Sequence, residues 1–250
     1  MIDMHSHIIP GVDDGSRDIE ITKRMLKEAA LSGFTTIFAT PHYFDNNSVN
    51  RKEMLAHFKK IKSLAAASGI ELILGNEVYI QPELPQLVKD STVSCMNDSK
   101  YLLMEIPRHN DINYFEDVVF ELSLMGITPI LAHPERYRIV REDPEILYDF
   151  ADKGVLFQLN SGSLLGDYGE SVKKLAMKLL KQNVYQFMGS DAHHYDRYKV
   201  YNQAVEIVIK KVGKDVAKRL TDINPRKVKN NETIEADLQP MKKKFLFWEI

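Results

Sequence analysis

One pattern recurs along this chain of 250 residues, and it constrains the fold more than any other feature. A helical stretch ends at glycine or asparagine, a short apolar run follows, and the run ends in polar residues that can bind a metal ion. The five examples are Gly33 before 34–40, Gly69 before 70–74, Gly126 before 127–132, Gly154 before 155–159 and Asn183 before 184–188. Glycine and asparagine tolerate the left-handed backbone that often follows a helix. The pattern therefore predicts helices alternating with strands.

The apolar runs have the composition of strands in a parallel sheet. Each is short and apolar on both faces, which is typical of strands covered by helices on both sides. Two further runs, 2–5 and 101–106, fit as strands without a preceding helix stop. Seven strands alternating with helices favour an α/β fold closed as a distorted seven-stranded barrel, (β/α)7, over the eight-stranded form. An open doubly wound sheet is the alternative.

Helices are expected between these strands, and no linker rich in proline, glycine or serine divides the chain. Asp18 is the candidate N-cap of the first helix. Segment 81–98 contains two prolines and no clear period, so it predicts a long excursion between strands. We expect one domain over 1–226 and a tail over 227–250 that becomes basic and then apolar. The expected helices are 18–32, 51–68, 111–125, 143–153, 168–182 and 200–219.

The composition excludes several classes of protein. The chain has 33 basic and 35 acidic side chains, a balance that argues against binding nucleic acid through a general basic face. Its apolar runs are too short to span a membrane, and a His-x-His follows Met1 where a signal peptide would need an apolar stretch. Cys95, the single cysteine, has no partner for a disulfide bond within the chain. We expect a cytoplasmic protein without a transmembrane segment.

Imidazole and carboxylate side chains recur where the expected strands end. Because the carboxyl ends of strands in parallel α/β folds converge on one face, residues remote in sequence are expected to meet in one cleft. Imidazole and carboxylate together suit zinc, manganese or iron. Five histidines and four acidic residues form the set: His5, His7, His42, His133, His193, Glu77, Glu105, Asp191 and, in the first loop, Asp14.

Taken one at a time, these residues have ordinary interpretations. His42 or His133 alone would more often be a structural histidine, but nine donors at successive strand ends are hard to explain as chance. Nine donors also exceed the four to six ligands of one ion, so the set predicts two or three metal ions. Such a cluster activates water and holds the oxygens of a displacement reaction. The predicted chemistry is hydrolytic.

Two arginines at the same face narrow the predicted substrate. Arg136 follows His133 by three residues, and Arg197 follows His193 by four. The guanidinium fork matches phosphate oxygens and can stabilise charge that develops during phosphoryl transfer. We therefore predict a phosphate ester as substrate, with Arg136 and Arg197 in catalytic roles. Three further arginines are interpreted as solvated loop charges: Arg108, Arg138 and Arg141.

The motifs MIDMHSHIIPGVDDGS, TPHY, GNEVY, YLLMEIP, AHPERY and GSDAHH resemble the PHP (polymerase and histidinol phosphatase) superfamily. They resemble more closely its CpsB/YwqE-type bacterial metal-dependent protein-tyrosine phosphatases, from residue 1 to about 226. The resemblance implies the distorted seven-stranded barrel and a phosphoric monoester hydrolase that acts on phosphotyrosine. It further implies a role in capsule and exopolysaccharide synthesis, with the tail of a bacterial tyrosine kinase as substrate. The cofactors expected are two or three divalent ions, manganese before iron or zinc.

The same resemblance implies how the donors are shared among three metal sites, and it assigns phosphate binding to Arg136 and Arg197. One ion would be held by His5, His7, Glu77 and Asp191. Glu77 would bridge to a second ion, completed by Glu105 and His133. A third would be held by Asp14, His42 and His193.

Three alternatives stay open at this point. The first is a PHP-type phosphatase for a small metabolite such as histidinol phosphate. The second is a metal hydrolase of the amidohydrolase type, which shares the barrel and the metals but has no need of the two arginines. The third is a non-catalytic domain that retains the metals, against which the full set of donors counts.

Overall fold

The computed structural model describes residues 1–44, 49–107 and 112–235. Every strand pair in it is parallel. The strands are β1 (Ile2–Ser6), β2 (Thr36–Ala39), β3 (His42–Tyr43), β4 (Glu71–Leu74), β5 (Glu77–Tyr79), β6 (Tyr101–Glu105), β7 (Thr128–Ala132), β8 (Leu156–Asn160) and β9 (Phe187–Gly189). β2 continues into β3, and β4 into β5, after a break of two residues. If each of these two interrupted strands is counted as one path, the nine segments form seven strand paths, which correspond to the seven predicted strands.

The seven paths close into a barrel. One sheet has the order β1-β2-β4, and the other has the order β3-β5-β6-β7-β8-β9. The last path returns to the first, because Ser6 pairs with Ala192 and the Asp191 N–H donates to the His5 carbonyl at 2.9 Å. The α/β barrel is thus confirmed, and the open sheet is excluded. The division into two sheets, with breaks in the second and third paths, is the distortion.

Helices cover the outside of the barrel. The Asp18 carboxylate accepts the N–H groups of Glu20 and Ile21, as expected of an N-cap. The predicted helix stops, from Gly33 to Asn183, all have positive φ between 60° and 86°. The helices are α1 (Ile19–Leu31), α2 (Arg51–Ala67), α3 (Leu84–Lys89), α4 (Phe115–Leu124), α5 (Arg138–Glu142), α6 (Ile146–Asp152), α7 (Ser161–Leu165), α8 (Glu170–Lys181), α9 (Arg197–Val212), α10 (Lys214–Lys218) and α11 (Asn224–Lys229).

The short helices are the ones that the sequence pattern missed. α3 lies in segment 81–98, with Pro85 in its first turn, where the absence of a proline N–H does no harm. α5 and α7 have five residues each, too few for a helical period to be recognised. The expected helix 200–219 starts earlier, at Arg197, and is interrupted at Gly213. None of the helices in the described ranges is both long and apolar enough to cross a membrane.

The C-terminal part of the described chain packs against the barrel beyond the expected boundary at residue 226. α11 crosses that position, and the Tyr101 hydroxyl donates to the Glu232 carbonyl at 2.6 Å. Ile234 is buried in the same region. Residues 236–250, which include the basic and apolar part of the expected tail, lie outside the described residues.

Alternation along the strands places polar side chains at one end of the barrel. One buried cluster takes residues from all seven paths, which therefore meet inside the barrel. On β6, Tyr101 and Leu103 belong to this cluster, and Glu105 continues the same row because alternate strand residues share a face. A row of apolar side chains thus ends in a carboxylate at the carboxyl end of the strand. That end of the barrel holds the candidate site.

Candidate metal centre

The structure brings all nine predicted donors together at the carboxyl ends of the strands. Seven of them line one pocket of about 350 Å³. His5 and His7 lie beneath that pocket, are fully buried and contact Glu77. The seven lining donors are Asp14, His42, Glu77, Glu105, His133, Asp191 and His193.

His5, His7, Glu77 and Asp191 form a compact cluster, here called the inner group. The Nε2 atoms of the two histidines are 3.0 Å apart. Each lies 3.0–3.3 Å from Glu77 Oε2 and 3.3–3.5 Å from Asp191 Oδ1. Four ligands bound tetrahedrally at about 2.0–2.2 Å from one ion are about 3.3–3.6 Å from each other. The inner group therefore has close to the spacing of a single metal site.

The two inner histidines are held by hydrogen bonds on their other nitrogen. His5 Nδ1 lies 3.0 Å from Gln158 Oε1, and His7 Nδ1 lies 2.7 Å from Asp13 Oδ2. Because both oxygens only accept, the Nδ1 atoms carry the hydrogens and the Nε2 lone pairs face the inner group. Such contacts fix the orientation of histidines that bind metal ions and raise their basicity.

Glu77 connects the inner group to a second cluster that contains His42, Glu105 and His133. Its Oε1 atom lies 2.9 Å from His133 Nε2, and its Oε2 atom lies 3.1 Å from His42 Nδ1. Glu105 Oε1 and His42 Nδ1 are 3.0 Å apart, yet both are buried and neither makes a hydrogen bond to any residue that the structure describes. Buried polar atoms normally have a hydrogen-bond partner. A cation between these two atoms would satisfy both, so the residues fit a metal ion.

Asp14, His42 and His193 form a third cluster, here called the outer group. Asp14 Oδ1 lies 3.3 Å from His193 Nε2 and 3.6 Å from His42 Nε2. His193 Nδ1 donates to the backbone carbonyl of Asp191 at 3.0 Å, which turns its other nitrogen toward Asp14. The Asp14 side chain is 64% exposed, whereas that of Asp191 is 5% exposed. The outer group is therefore open to solvent.

Burial opposes charge on every inner donor, and neighbouring charges decide which of them stay ionised. Burial alone would raise the pKa of Glu77, but His5 and then His42 outweigh it and hold that pKa well below its usual value. Asp191 behaves similarly beside His5 and His7. In the outer group, the hydrogen bond from His193 lowers the pKa of Asp14 to about 2.

Glu105 has the opposite shift. Burial, followed by repulsion from Glu77 and Asp191, raises its pKa to about 10. Burial also lowers the pKa of His42 and of His133 to about 4. The metal-free site therefore keeps Glu105 protonated near neutral pH, and a bound cation would displace that proton.

The two predicted arginines lie in different surroundings. Arg136 lines the pocket, donates to Asp191 Oδ2 at 2.7 Å and lies over the Tyr168 ring, 4.4 Å from its centroid. Arg197 donates to Asp167 at 2.6 Å and is outside the set of described residues that line the pocket.

The three arginines interpreted as solvated charges also differ from each other. Arg138 and Arg141 both line the pocket. Most of the Arg138 side chain is exposed. Arg108 lies outside the described residues. The sequence alone did not indicate that Arg138 and Arg141 face the site, because their position depends on the short helix α5.

Several supporting residues at the site were not predicted. The buried Glu135 carboxylate accepts the Asn160 N–H and the Tyr185 hydroxyl, each at 3.0 Å. Asn160 in turn donates to Asp191 Oδ2 at 2.9 Å. Gln158, which holds His5, could have been identified from the sequence, because it is a polar residue inside the apolar run 155–159. Asp13 could not, because it lies next to Asp14 in a loop.

Comparison with known proteins identifies the relatives of this chain. The YwqE tyrosine-protein phosphatase of Bacillus subtilis (strain 168) is 33% identical over 253 residues, covering 99% of each chain. A crystal structure described as YwqE from Bacillus subtilis and CpsB from Streptococcus pneumoniae, unique metal-dependent tyrosine phosphatases, matches with a TM-score of 0.87. Its sequence identity is 32%, and the match covers 97% of this chain and 100% of the other.

A more distant match shows the fold alone. The histidinol phosphate phosphatase of Lactococcus lactis has a TM-score of 0.59 at 15% identity, covering 85% of this chain and 95% of the other.

Residues 1–230 match the family described as capsular polysaccharide synthesis, CpsB/CapC. The resemblance noted from the sequence motifs is thereby confirmed. With that match and the full-length identity to YwqE, the chain belongs to the CpsB/CapC family.

Proposed function

We propose that this protein is a metal-dependent protein-tyrosine phosphatase, a hydrolase that releases phosphate from phosphotyrosine. The observation that carries the proposal is the convergence of nine imidazole and carboxylate donors at one end of the barrel, where seven of them line a pocket that also contains Arg136. Relatives named as tyrosine-protein phosphatases match nearly the whole chain, and a structure described as metal-dependent matches the fold closely. The site and the family membership point to the same reaction.

The donors fit two or three divalent ions, and we propose manganese before iron or zinc. The inner group would hold one ion, Glu105 and His133 would complete a second through Glu77, and the outer group would hold a third. Bound there, the ions would supply an activated water and would neutralise the phosphoryl oxygens. Hard carboxylate oxygens and imidazole nitrogens, without a thiolate in the set, are consistent with each of these metals.

The remaining residues would position the donors and bind the phosphoryl group. Asp13 and Gln158 fix the orientation of the inner histidines through their Nδ1 atoms. Arg136 already contacts a carboxylate in the pocket, and its guanidinium can donate to phosphate in the same way. We propose a phosphate-binding role for Arg197 as well, which requires its bond to Asp167 to be exchanged for one to substrate.

The leaving group of this reaction reduces the need for a general acid. Tyrosinate is a fairly good leaving group, since the pKa of a phenol is about 10. A strong general acid is therefore unnecessary, and none is assigned. The aromatic side chains of Phe44 and Tyr79 line the pocket and offer a surface for the phenyl ring.

We further propose that the substrate is the phosphorylated tail of a bacterial tyrosine kinase that controls capsule or exopolysaccharide synthesis, and that the enzyme acts in the cytoplasm. The family description, capsular polysaccharide synthesis, supports the pathway.

The test is phosphate release from a phosphotyrosine peptide, measured before and after treatment with a chelator and again after adding Mn²⁺. We expect turnover to fall at least a hundredfold with chelator and to recover with the ion. Chelator-resistant turnover would contradict the proposal. Histidinol phosphate is assayed in parallel to test the small-metabolite alternative. That alternative predicts a higher kcat/KM on histidinol phosphate than on the phosphotyrosine peptide.

A further inference from the structure

The part of the pocket that holds no metal donors has two chemically different walls. On one side are Phe44 and Tyr79, whose ring centroids are 4.4 Å apart. On another are Arg138 and Arg141 of α5, neither of which the reaction described above uses. A phosphotyrosine bound at the metal centre would have its ring and the neighbouring peptide residues within the pocket that these four side chains line.

The spacing of the two arginines places them side by side. Residues three apart on a helix lie on the same face, with about 5–6 Å between their Cβ atoms. Arg141 donates through Nη1 to the carbonyl of Arg136 at 2.9 Å, so its guanidinium is held close to the pocket arginine. A guanidinium has five N–H donors, and this bond uses one of them. As far as the described residues go, most of the donor capacity of Arg141 is therefore available to a ligand.

Within the described ranges, the one ion pair of Arg138 is weak. Its Nη1 atom lies 3.6 Å from Glu142 Oε1, and the two side chains are 67% and 64% exposed. Exposed pairs of this kind contribute little to stability because water and salt screen them. An anionic group on a bound peptide could replace Glu142 as the partner of Arg138 with little loss of free energy. The two arginines thus provide a cationic rim directly beside the candidate active site.

We propose that Arg138 and Arg141 select substrates that carry an anionic group next to the phosphotyrosine, either a carboxylate side chain or a second phosphate. The proposal rests on the proposed phosphatase function and names the class of peptide that the same pocket prefers. An extended peptide advances about 3.3 Å per residue, so the anionic group should lie within three positions of the phosphotyrosine.

The experiment compares kcat/KM on five phosphotyrosine peptides of equal length. One has alanine at the flanking positions, one has glutamate on the N-terminal side, one has glutamate on the C-terminal side, one has a second phosphotyrosine, and one has lysine. The variants are Arg138→Gln, Arg141→Gln and the double substitution. Lys174→Gln is the matched control, because Lys174 also pairs with a glutamate four residues away, on α8, and is 75% exposed.

For the native protein we expect about a tenfold preference for the better glutamate peptide over the alanine peptide, from two contacts worth roughly threefold each. The double substitution should reduce this ratio to about one, each single substitution should reduce it partly, and Lys174→Gln should leave it as it was. The ratio should also shrink as salt is added, since exposed charges are screened. The peptide with two phosphotyrosines, compared with the glutamate peptides, shows which anion the rim prefers.

Equal kcat/KM on the alanine, glutamate and diphosphorylated peptides would overturn the inference while leaving the phosphatase function intact. So would a preference for anionic peptides that survives the double substitution. Failure to hydrolyse any of the five peptides would overturn the phosphatase function and the inference together.

Discussion

The inner and outer groups use the same kinds of side chain in opposite surroundings. In the inner group His5, His7 and Glu77 are fully buried, and the two histidines are held by Gln158 and Asp13. In the outer group the Asp14 side chain is mostly exposed and that of His193 is one third exposed. Burial and second hydrogen bonds preorganise the inner donors, whereas the outer group depends on Asp14, whose exposed side chain is less constrained. We therefore expect tight binding at the inner group and exchangeable binding at the outer group.

The largest effect is expected from Glu77→Gln. Glu77 contacts donors of both the inner group and the second cluster, including His5 at 3.0 Å and His133 at 2.9 Å. The substitution removes a charge that no other residue can replace, so turnover on a phosphotyrosine peptide should fall by about a thousandfold or more, with loss of bound metal. Turnover and elemental analysis of the purified protein measure both effects.

Glu135→Gln is the matched control, because Glu135 is equally buried at the same end of the barrel but bonds to Asn160 and Tyr185. It should lose much less metal than Glu77→Gln, because Glu135 reaches the donor Asp191 only through Asn160. A Glu77→Gln protein with native metal content and turnover within tenfold of native would show that Glu77 does not join the sites.

A smaller effect is expected from Asp13→Asn. The Asp13 carboxylate accepts from His7 Nδ1 at 2.7 Å and also from the His42 N–H at 3.1 Å. Losing its charge should weaken metal binding by about 10- to 100-fold, as for other carboxylates that support metal-binding histidines. Titration of the chelator-treated protein with Mn²⁺ measures the affinity. Asp18→Asn is the control: it keeps the helix cap and should leave the affinity at the native value. Equal affinities in the two variants would show that Asp13 does not support metal binding.

The sequence predicted which imidazole and carboxylate side chains come together at one end of the barrel, but it did not predict the residues that hold them. Eight of the nine donors were found because each lies at or near a strand end, where a polar residue after an apolar run stands out, and Asp14 was added from the first loop. The barrel itself followed from helix stops such as Gly69 and Asn183, whose backbone requirement is local. Gln158 acts through a contact across the barrel, and Asp13 acts through a loop that brings it back to His7; neither contact follows from a helix or strand period. The pocket position of Arg138 was missed for the same reason, since it depends on how α5 packs.

Asp14→Asn tests the outer group and should have a milder and reversible effect. Because the side chain is exposed, its loss leaves the inner group intact, and turnover should fall by about tenfold at low metal concentration. Raising the Mn²⁺ concentration should restore most of the activity. Asp191→Asn, the comparable change in the inner group, should not be rescued. If both variants responded equally to added Mn²⁺, the distinction between the two groups would be wrong.

The smallest expected effect is a pH dependence of stability that only the metal-free protein shows. Burial, and then Glu77 and Asp191, raise the pKa of Glu105 to about 10 from 4.5. A carboxyl group with a raised pKa stabilises the fold when it is protonated, so this contribution is complete below about pH 4.5 and is lost as pH rises toward 10. Burial opposes protonation of His5 and His7, but nearby carboxylates outweigh it and raise the pKa values of both histidines. Their contribution to the stability of the fold is therefore also lost as the pH rises above about 6.5.

We therefore expect the melting temperature of the chelator-treated protein to fall between about pH 7 and pH 9, because over this range the folded protein holds protons on these groups that the unfolded chain has lost. Glu105→Gln should flatten much of that slope, because the amide stays neutral. The Mn²⁺-loaded protein should show little slope, since the ions replace the protons. A native metal-free protein whose melting temperature rises over this range would contradict the sign of the shift.

Anomalous scattering from crystals of the Mn²⁺-loaded protein tests the central claim most directly. The claim predicts at least two peaks at the carboxyl ends of the strands, one among His5, His7, Glu77 and Asp191 and another on the far side of Glu77, toward Glu105 and His133. A weaker third peak is expected beside Asp14, His42 and His193. Crystals grown with abundant Mn²⁺ that show no peak at any of these positions would contradict the account.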